Sequence, residues 1–160
     1  MKKLLSASVL ILIIGCNQKT EQPCDNAFIK GNNFILNSDF KNAKKEFETS
    51  LKIDPNNANA YYGLGYTYAV EGSYEKAVNF LDKSINLDKK FTLAYLQRGQ
   101  IYYSQGQFIN AYDDFKKVTE LRPDLSFPYD YLGHIEMTRS NYEEAIEYFN
   151  TSIRINPNNP

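Results

Sequence analysis

Residues 58–91 carry two apolar stripes separated by a polar break. Tyr61, Leu64, Gly65 and Tyr68 stand at i, i+3, i+4 and i+7, the spacing of one face of a helix. Glu71-Gly72-Ser73 has turn chemistry. Tyr74, Ala77, Val78, Leu81, Ile85 and Leu87 then mark a second amphipathic helix. Corresponding breaks fall at 37–39, 104–107 and 139–141, and the proline-bearing runs at 54–57 and 122–124 separate one pair of helices from the next. Proline cannot extend the helix before it, and Asn or Asp caps the helix after it. The pattern predicts an all-α chain of helix pairs.

The same arrangement recurs. Gly31, Gly65, Gly99 and Gly133 are each 34 residues from the next. So are Ala43, Ala77, Ala111 and Ala145; Phe40, Tyr74, Phe108 and Tyr142; Phe47, Leu81, Phe115 and Phe149; Ile53, Leu87, Leu121 and Ile155; and Pro55, Lys89, Pro123 and Pro157. A glycine inside a helix costs about 1 kcal/mol relative to alanine, so four copies forfeit about 4 kcal/mol. Close approach of the two helices of a unit, at Gly65 and Ala77, offsets that cost. A phosphate-cradling loop is excluded at Gly63-Leu64-Gly65, which lies inside a helix with no strand before it.

In spacing and residue type the chain resembles the tetratricopeptide-repeat family, best in the second copy at Tyr61, Leu64, Gly65, Tyr68, Ala77 and Leu81. The repeats are 24–57, 58–91, 92–125 and 126–159, within a domain spanning 24–159. Lys30 and Arg98 stand where Leu64 and Leu132 stand, Glu136 replaces the aromatic of Phe34, Tyr68 and Tyr102, and Lys89 replaces a proline. The resemblance implies a right-handed superhelix of four helix-turn-helix units whose first helices line a concave groove. It places Phe28, Asn32, Tyr62, Tyr66, Leu96, Gln100, Tyr103 and His134 on that groove. Ile35, Ala69, Met137 and Asp130 fall in the same columns, with Asp25, Asn59, Leu93 and Phe127 one turn earlier. Tyr61 and Tyr68 are expected in the packing seam. Chaperone-binding members of the family hold a carboxylate with cations on this face. Asn32 matches one of their positions, but Phe28, Gly63, Leu93 and Gln97 occupy the others, so an apolar peptide fits better than an acidic one.

The chain opens with Lys2 and Lys3, an apolar run from Leu4 to Ile14, and Ile13-Ile14-Gly15-Cys16. The run is shorter than the roughly 20 residues that span a bilayer and has the parts of a secretory signal. It resembles the bacterial lipobox. That resemblance implies a signal peptide at 1–15, lipidation (palmitate among the acyl chains) of Cys16, and a polar tether over 16–23. The protein is then expected in the bacterial cell envelope, lipid-anchored, with Asn17 leaning towards the outer membrane if the source has two. With Cys16 lipidated, Cys24 has no internal disulfide partner, which leaves an intermolecular bridge open. Net charge is −1 over 160 residues, and about −3 without the two leader lysines. That balance argues against nucleic acid, whose binders concentrate positive charge.

Little in the sequence points to catalysis. His134 is the one histidine and has no partner that would make a metal or catalytic site. Asp113-Asp114 and Glu143-Glu144 read as acidic residues serving helix N-termini. No cofactor is expected. The fourth unit leaves Ile146, Phe149 and Ile153 without a following helix to cover them, which suggests a homo-oligomer or a complex through that end. The expected function is a non-enzymatic scaffold or adaptor in the envelope that binds a protein or peptide. The alternatives are a self-assembling structural envelope protein and a glycan- or lipid-binding carrier.

Overall fold

The computed structural model describes residues 23–157. The leader, Cys16 and the tether up to residue 22 lie outside the described residues, as do the side chains of residues 23–25, Cys24 among them. The described residues form eight helices: α1 (Pro23–Leu36), α2 (Phe40–Ile53), α3 (Ala58–Val70), α4 (Tyr74–Leu87), α5 (Thr92–Ser104), α6 (Phe108–Leu121), α7 (Phe127–Thr138) and α8 (Tyr142–Ile155). Each odd-numbered helix packs on the even-numbered helix that follows it, and each even-numbered helix packs on the first helix of the next pair. This is the nearest-neighbour stacking of a solenoid.

The turns follow local chemistry. Asp39 caps α2 by accepting from the Asn42 backbone N–H at 3.2 Å, and Asn57 caps α3 by accepting from the Ala60 N–H at 3.1 Å. Within each pair the turn holds one residue at positive φ: Ser38 (58°), Gly72 (77°), Gly106 (72°) and Ser140 (62°). These four positions are one column of the repeat, and glycine fills two of them because it adopts this conformation without a Cβ clash.

The glycine column marks close packing, as the sequence suggested. A Cβ on Gly65 would lie 2.7 Å from Leu81 Cγ and 3.2 Å from the Ala77 carbonyl oxygen. A Cβ on Gly133 would meet the Phe149 ring first, at 2.6 Å. Leu81 is fully buried and has nowhere to go, whereas Phe149 is half-buried and can swing outward. Gly65→Ala is therefore expected to lose about 2 kcal/mol to overpacking, against a helix-propensity gain of about 1 kcal/mol. Gly133→Ala should come out near neutral. Urea titrations of the two variants make the comparison.

Two apolar clusters fill the stack. The first runs through Phe28, Ile35, Phe47, Tyr62, Leu64, Tyr66, Leu81 and Ile85, and the second gathers Ala111, Phe115, Leu132 and Ile135. Phe47 joins the first two repeats. Its ring lies where Cβ atoms on both Gly31 of α1 and Gly63 of α3 would stand, within 2.5 and 2.6 Å.

Candidate functional site

The face formed by the first helices differs from the sequence expectation at its N-terminal end. Tyr62 and Tyr66 are 2% and 4% exposed, and Phe28 and Asn32 are buried too. These four belong to the interior and not to an open groove wall. The reason is aromatic packing from outside the helix. Phe91, in the turn before α5, meets the Tyr62 ring edge-on at 5.3 Å, and Tyr66 lies 6.4 Å away on the same helix. Burial pushes both phenols above their ordinary value, and the neighbouring Tyr66 adds to the effect at Tyr62. Asn32 Oδ1 is buried with no hydrogen-bond partner.

Tyr61 and Tyr68, expected in the seam, are half-buried, and Tyr68 packs against the first apolar cluster. Their rings sandwich Phe80 of α4, at 6.4 and 5.4 Å. Lys44 and Lys76 lie over Tyr68, and Lys83 lies over Tyr61 and Phe80. Helical spacing identified which tyrosines share a face. It could not identify which face Phe80 and Phe91 would cover.

Further along, the expected residues stay accessible. Leu96, Gln100 and Tyr103 are half-buried and His134 is exposed. Tyr103 packs edge-on against Tyr131 at 5.0 Å and Phe108 at 5.5 Å, while His134 stands edge-on to Phe149 at 5.1 Å. Gln100 also lines a cleft of about 220 Å³ between the ends of α3 and α5, together with Ala69, Val70, Tyr74, Gln97, Ile101 and Ser104. Val70 and Tyr74 are each 40% exposed, so apolar surface faces solvent there beside two amide side chains. The cleft has no charged lining residue. Sequence columns placed Ala69, Gln97 and Gln100 on this face but missed Val70 and Tyr74 as cleft residues, because the cleft forms across two repeats and its register depends on their packing.

A second cleft, of about 320 Å³, lies between α4, α5 and α6 and is lined by Asp82, Asn86, Arg98, Tyr102, Asn110, Asp113 and Asp114. Three of its charges, Arg98, Asp82 and Asp114, are engaged with one another. Arg98 donates from Nε and Nη2 to Asp114 at 2.9 and 2.6 Å, and from Nη1 to Asp82. Asp114 is 3% exposed. Burial by itself would lower the Arg98 guanidinium, but its hydrogen bonds and charge pairing with the two carboxylates raise it. Burial raises the Asp114 carboxyl, and the opposing pull of Arg98 only partly offsets that. The expectation that Asp113 and Asp114 serve a helix N-terminus is corrected, since the first turn of α6 holds no acidic residue. Glu143 and Glu144 do lie in the first turn of α8. Among the described residues no group of three or more His, Cys, Asp or Glu could hold a metal ion, and no helix is long and apolar enough to cross a membrane.

Helix pairs in 34-residue register, packed through small residues and stacked into a solenoid, define a class of interaction scaffold. The chain belongs to the tetratricopeptide-repeat family, whose models match residues 34–101, 92–125 and 126–159. No curated protein sequence matches the chain. Among solved structures it is similar to "Crystal structure of MamA", with TM-score 0.77 and 20% identity over 94% of this chain and 85% of that one. It is also similar to the Pseudomonas aeruginosa pilF structure, with TM-score 0.77 and 24% identity over 86% of this chain and 63% of that one. A third likeness is the first TPR of Spaghetti (RPAP3) bound to HSP90 peptide SRMEEVD, with TM-score 0.71 and 20% identity over 76% of this chain and 99% of that one. At these identities the likeness is one of fold.

Proposed function

We propose that the protein is a membrane-anchored adaptor of the bacterial cell envelope that holds an extended, largely apolar peptide segment of a partner across the first helices. The observation that carries this reading is the uncharged cleft between α3 and α5. Val70 and Tyr74 give it an apolar wall, and Gln97 and Gln100 set amide groups beside that wall. An amide side chain both donates and accepts, so it can pair with a peptide backbone, while the apolar wall takes a side chain. A tetratricopeptide-repeat structure bound to the HSP90 peptide SRMEEVD has a similar fold, although that peptide is acidic and the present cleft carries no cation. The lipobox-like Ile13-Ile14-Gly15-Cys16 supports anchorage through lipid on Cys16.

Selection of short random peptides displayed against the protein tests the binding reading. Enriched sequences should share apolar residues, and Val70→Glu and Gln97→Glu should each weaken their binding by about tenfold, or about 1.4 kcal/mol. Unchanged binding in both variants would place the peptide site elsewhere. Anchorage is tested by fractionation: Cys16→Ser should prevent acylation, so that metabolic labelling with an alkyne fatty acid is lost.

A further inference from the structure

The cleft between α4, α5 and α6 exists because an aspartate stands where the neighbouring junctions have a ring. Where the first repeat meets the second, and the third meets the fourth, Phe80 and Tyr148 hold the position of Asp114. Each packs its ring against one of the two apolar clusters. Phe80 stacks on Tyr68 at 5.4 Å, 4° from parallel. Tyr102 is the counterpart of Tyr68 in the third repeat, and Asp114 replaces its ring partner. The shorter side chain leaves about 320 Å³ open beside the Tyr102 ring. That volume falls at the lower end of the about 300–1,000 Å³ of small-molecule sites.

We propose that this cleft binds a neutral carbohydrate. Its lining is mixed in charge and in hydrogen-bonding sense. Arg98 only donates, and the carboxylates of Asp82, Asp113 and Asp114 only accept. Asn86 Oδ1 accepts from Lys89 at 2.8 Å, and Asn110 Nδ2 donates to Gln107 at 3.1 Å. That leaves an amide donor on Asn86 and a carbonyl acceptor on Asn110. An anionic ligand would meet three carboxylates. A cation would meet the Arg98 guanidinium, with two of the three carboxylates already committed to it. A neutral ligand dense in hydroxyls suits both kinds of group, because each hydroxyl donates and accepts. Tyr102 adds an apolar surface for the C–H face of a sugar ring. Arg98 lies 5.9 Å from the centre of that ring, so a donor sits beside the apolar surface. The ion pairs hold Arg98, Asp82 and Asp114 in place before a ligand arrives, which lowers the ordering cost of binding. The site is distinct from the peptide cleft between α3 and α5 and does not depend on it.

The test exposes a printed array of neutral, cationic and anionic oligosaccharides to the full-length chain, held in a detergent without a sugar head group. Neutral glycans should be retained and anionic ones rejected. Asp113→Lys should weaken retention by about tenfold. Glu147→Lys makes the same charge change at the equivalent exposed position of the fourth repeat and should leave retention unchanged. The double variant Arg98→Leu, Asp114→Phe fills the cleft with the side chains of the second repeat and should abolish retention, while its thermal unfolding stays cooperative. No neutral glycan above background, a preference for charged glycans over neutral ones, an equal loss in Glu147→Lys, or retention by the double variant would each overturn the proposal.

Discussion

Phe47→Ala is expected to destabilise the protein by about 4 kcal/mol, and to do so unevenly along the chain. The ring is fully buried and wedged between two glycines on different helices, Gly31 of α1 and Gly63 of α3. It also packs against Phe28 at 5.8 Å. Two glycines cannot grow to fill the space that the ring leaves, so the cavity stays open. The loss therefore includes both transfer and cavity contributions. Because the stack is held by neighbour contacts, the damage should concentrate in the first repeat and its junction with the second. Hydrogen exchange should show α1 and α2 losing protection while α6 to α8 keep theirs. Phe47→Leu, which copies Leu81 at the equivalent position, should cost less than about 1.5 kcal/mol. Equal losses for the two variants would mean that the ring does not bridge the repeats.

Arg98→Ala comes next, at about 3 kcal/mol, because it strands Asp114 in the interior without its guanidinium. Asp82 is half-exposed, and water can replace its lost partner. The same two repeat positions hold Leu64 with Phe80 in the second repeat and Leu132 with Tyr148 in the fourth. The double variant Arg98→Leu, Asp114→Phe should therefore return stability to within about 1 kcal/mol of the parent, since a buried ion pair exchanged for apolar packing is often neutral. The Arg98→Ala variant should also gain a pH dependence. Burial already raises the Asp114 carboxyl, and losing Arg98 removes the main opposing pull. A carboxyl whose folded pKa lies above its unfolded value binds more protons in the folded state. Its penalty is absent below the unfolded pKa and grows as pH rises through the folded one. The gap between parent and variant should thus narrow in acid and widen towards neutrality. A gap that stayed constant over that range would mean Asp114 is not the stranded group.

These two sites show how far the sequence reaches. The columns at Gly31 and Phe47 are legible as close packing because a glycine repeated in mid-helix needs a steric reason. The turns are legible because Asp39, Asn57 and the glycines at 72 and 106 have only local work to do. The Arg98 cluster was half legible. Arg98 stands out against the leucines in its column, but the sequence alone makes Asp114 a helix-terminus residue, whereas the fold makes it a buried counter-charge. The signal lay in comparing the positions 16 residues apart across repeats, where Arg98 with Asp114 replaces Leu64 with Phe80. The tyrosines of α3 are the least legible. Helical spacing separates Tyr61 and Tyr68 from Tyr62 and Tyr66, but burial depends on Phe80 and Phe91, which come from elsewhere in the fold. Likewise the cleft between α3 and α5 depends on how one repeat sits on the next, which no single helical stripe encodes.

We propose that the cleft beside Gln97 and Gln100 receives a partner's peptide segment. Photo-crosslinking from Ser104, an exposed residue on its rim, tests that claim most directly in cells expressing the full-length chain. Attachment to one defined segment of a partner is expected, abolished by Val70→Glu and absent when the probe is moved to Lys89, an exposed turn residue outside the cleft lining. Equal products from both positions, or products from Ser104 that survive Val70→Glu, would contradict it.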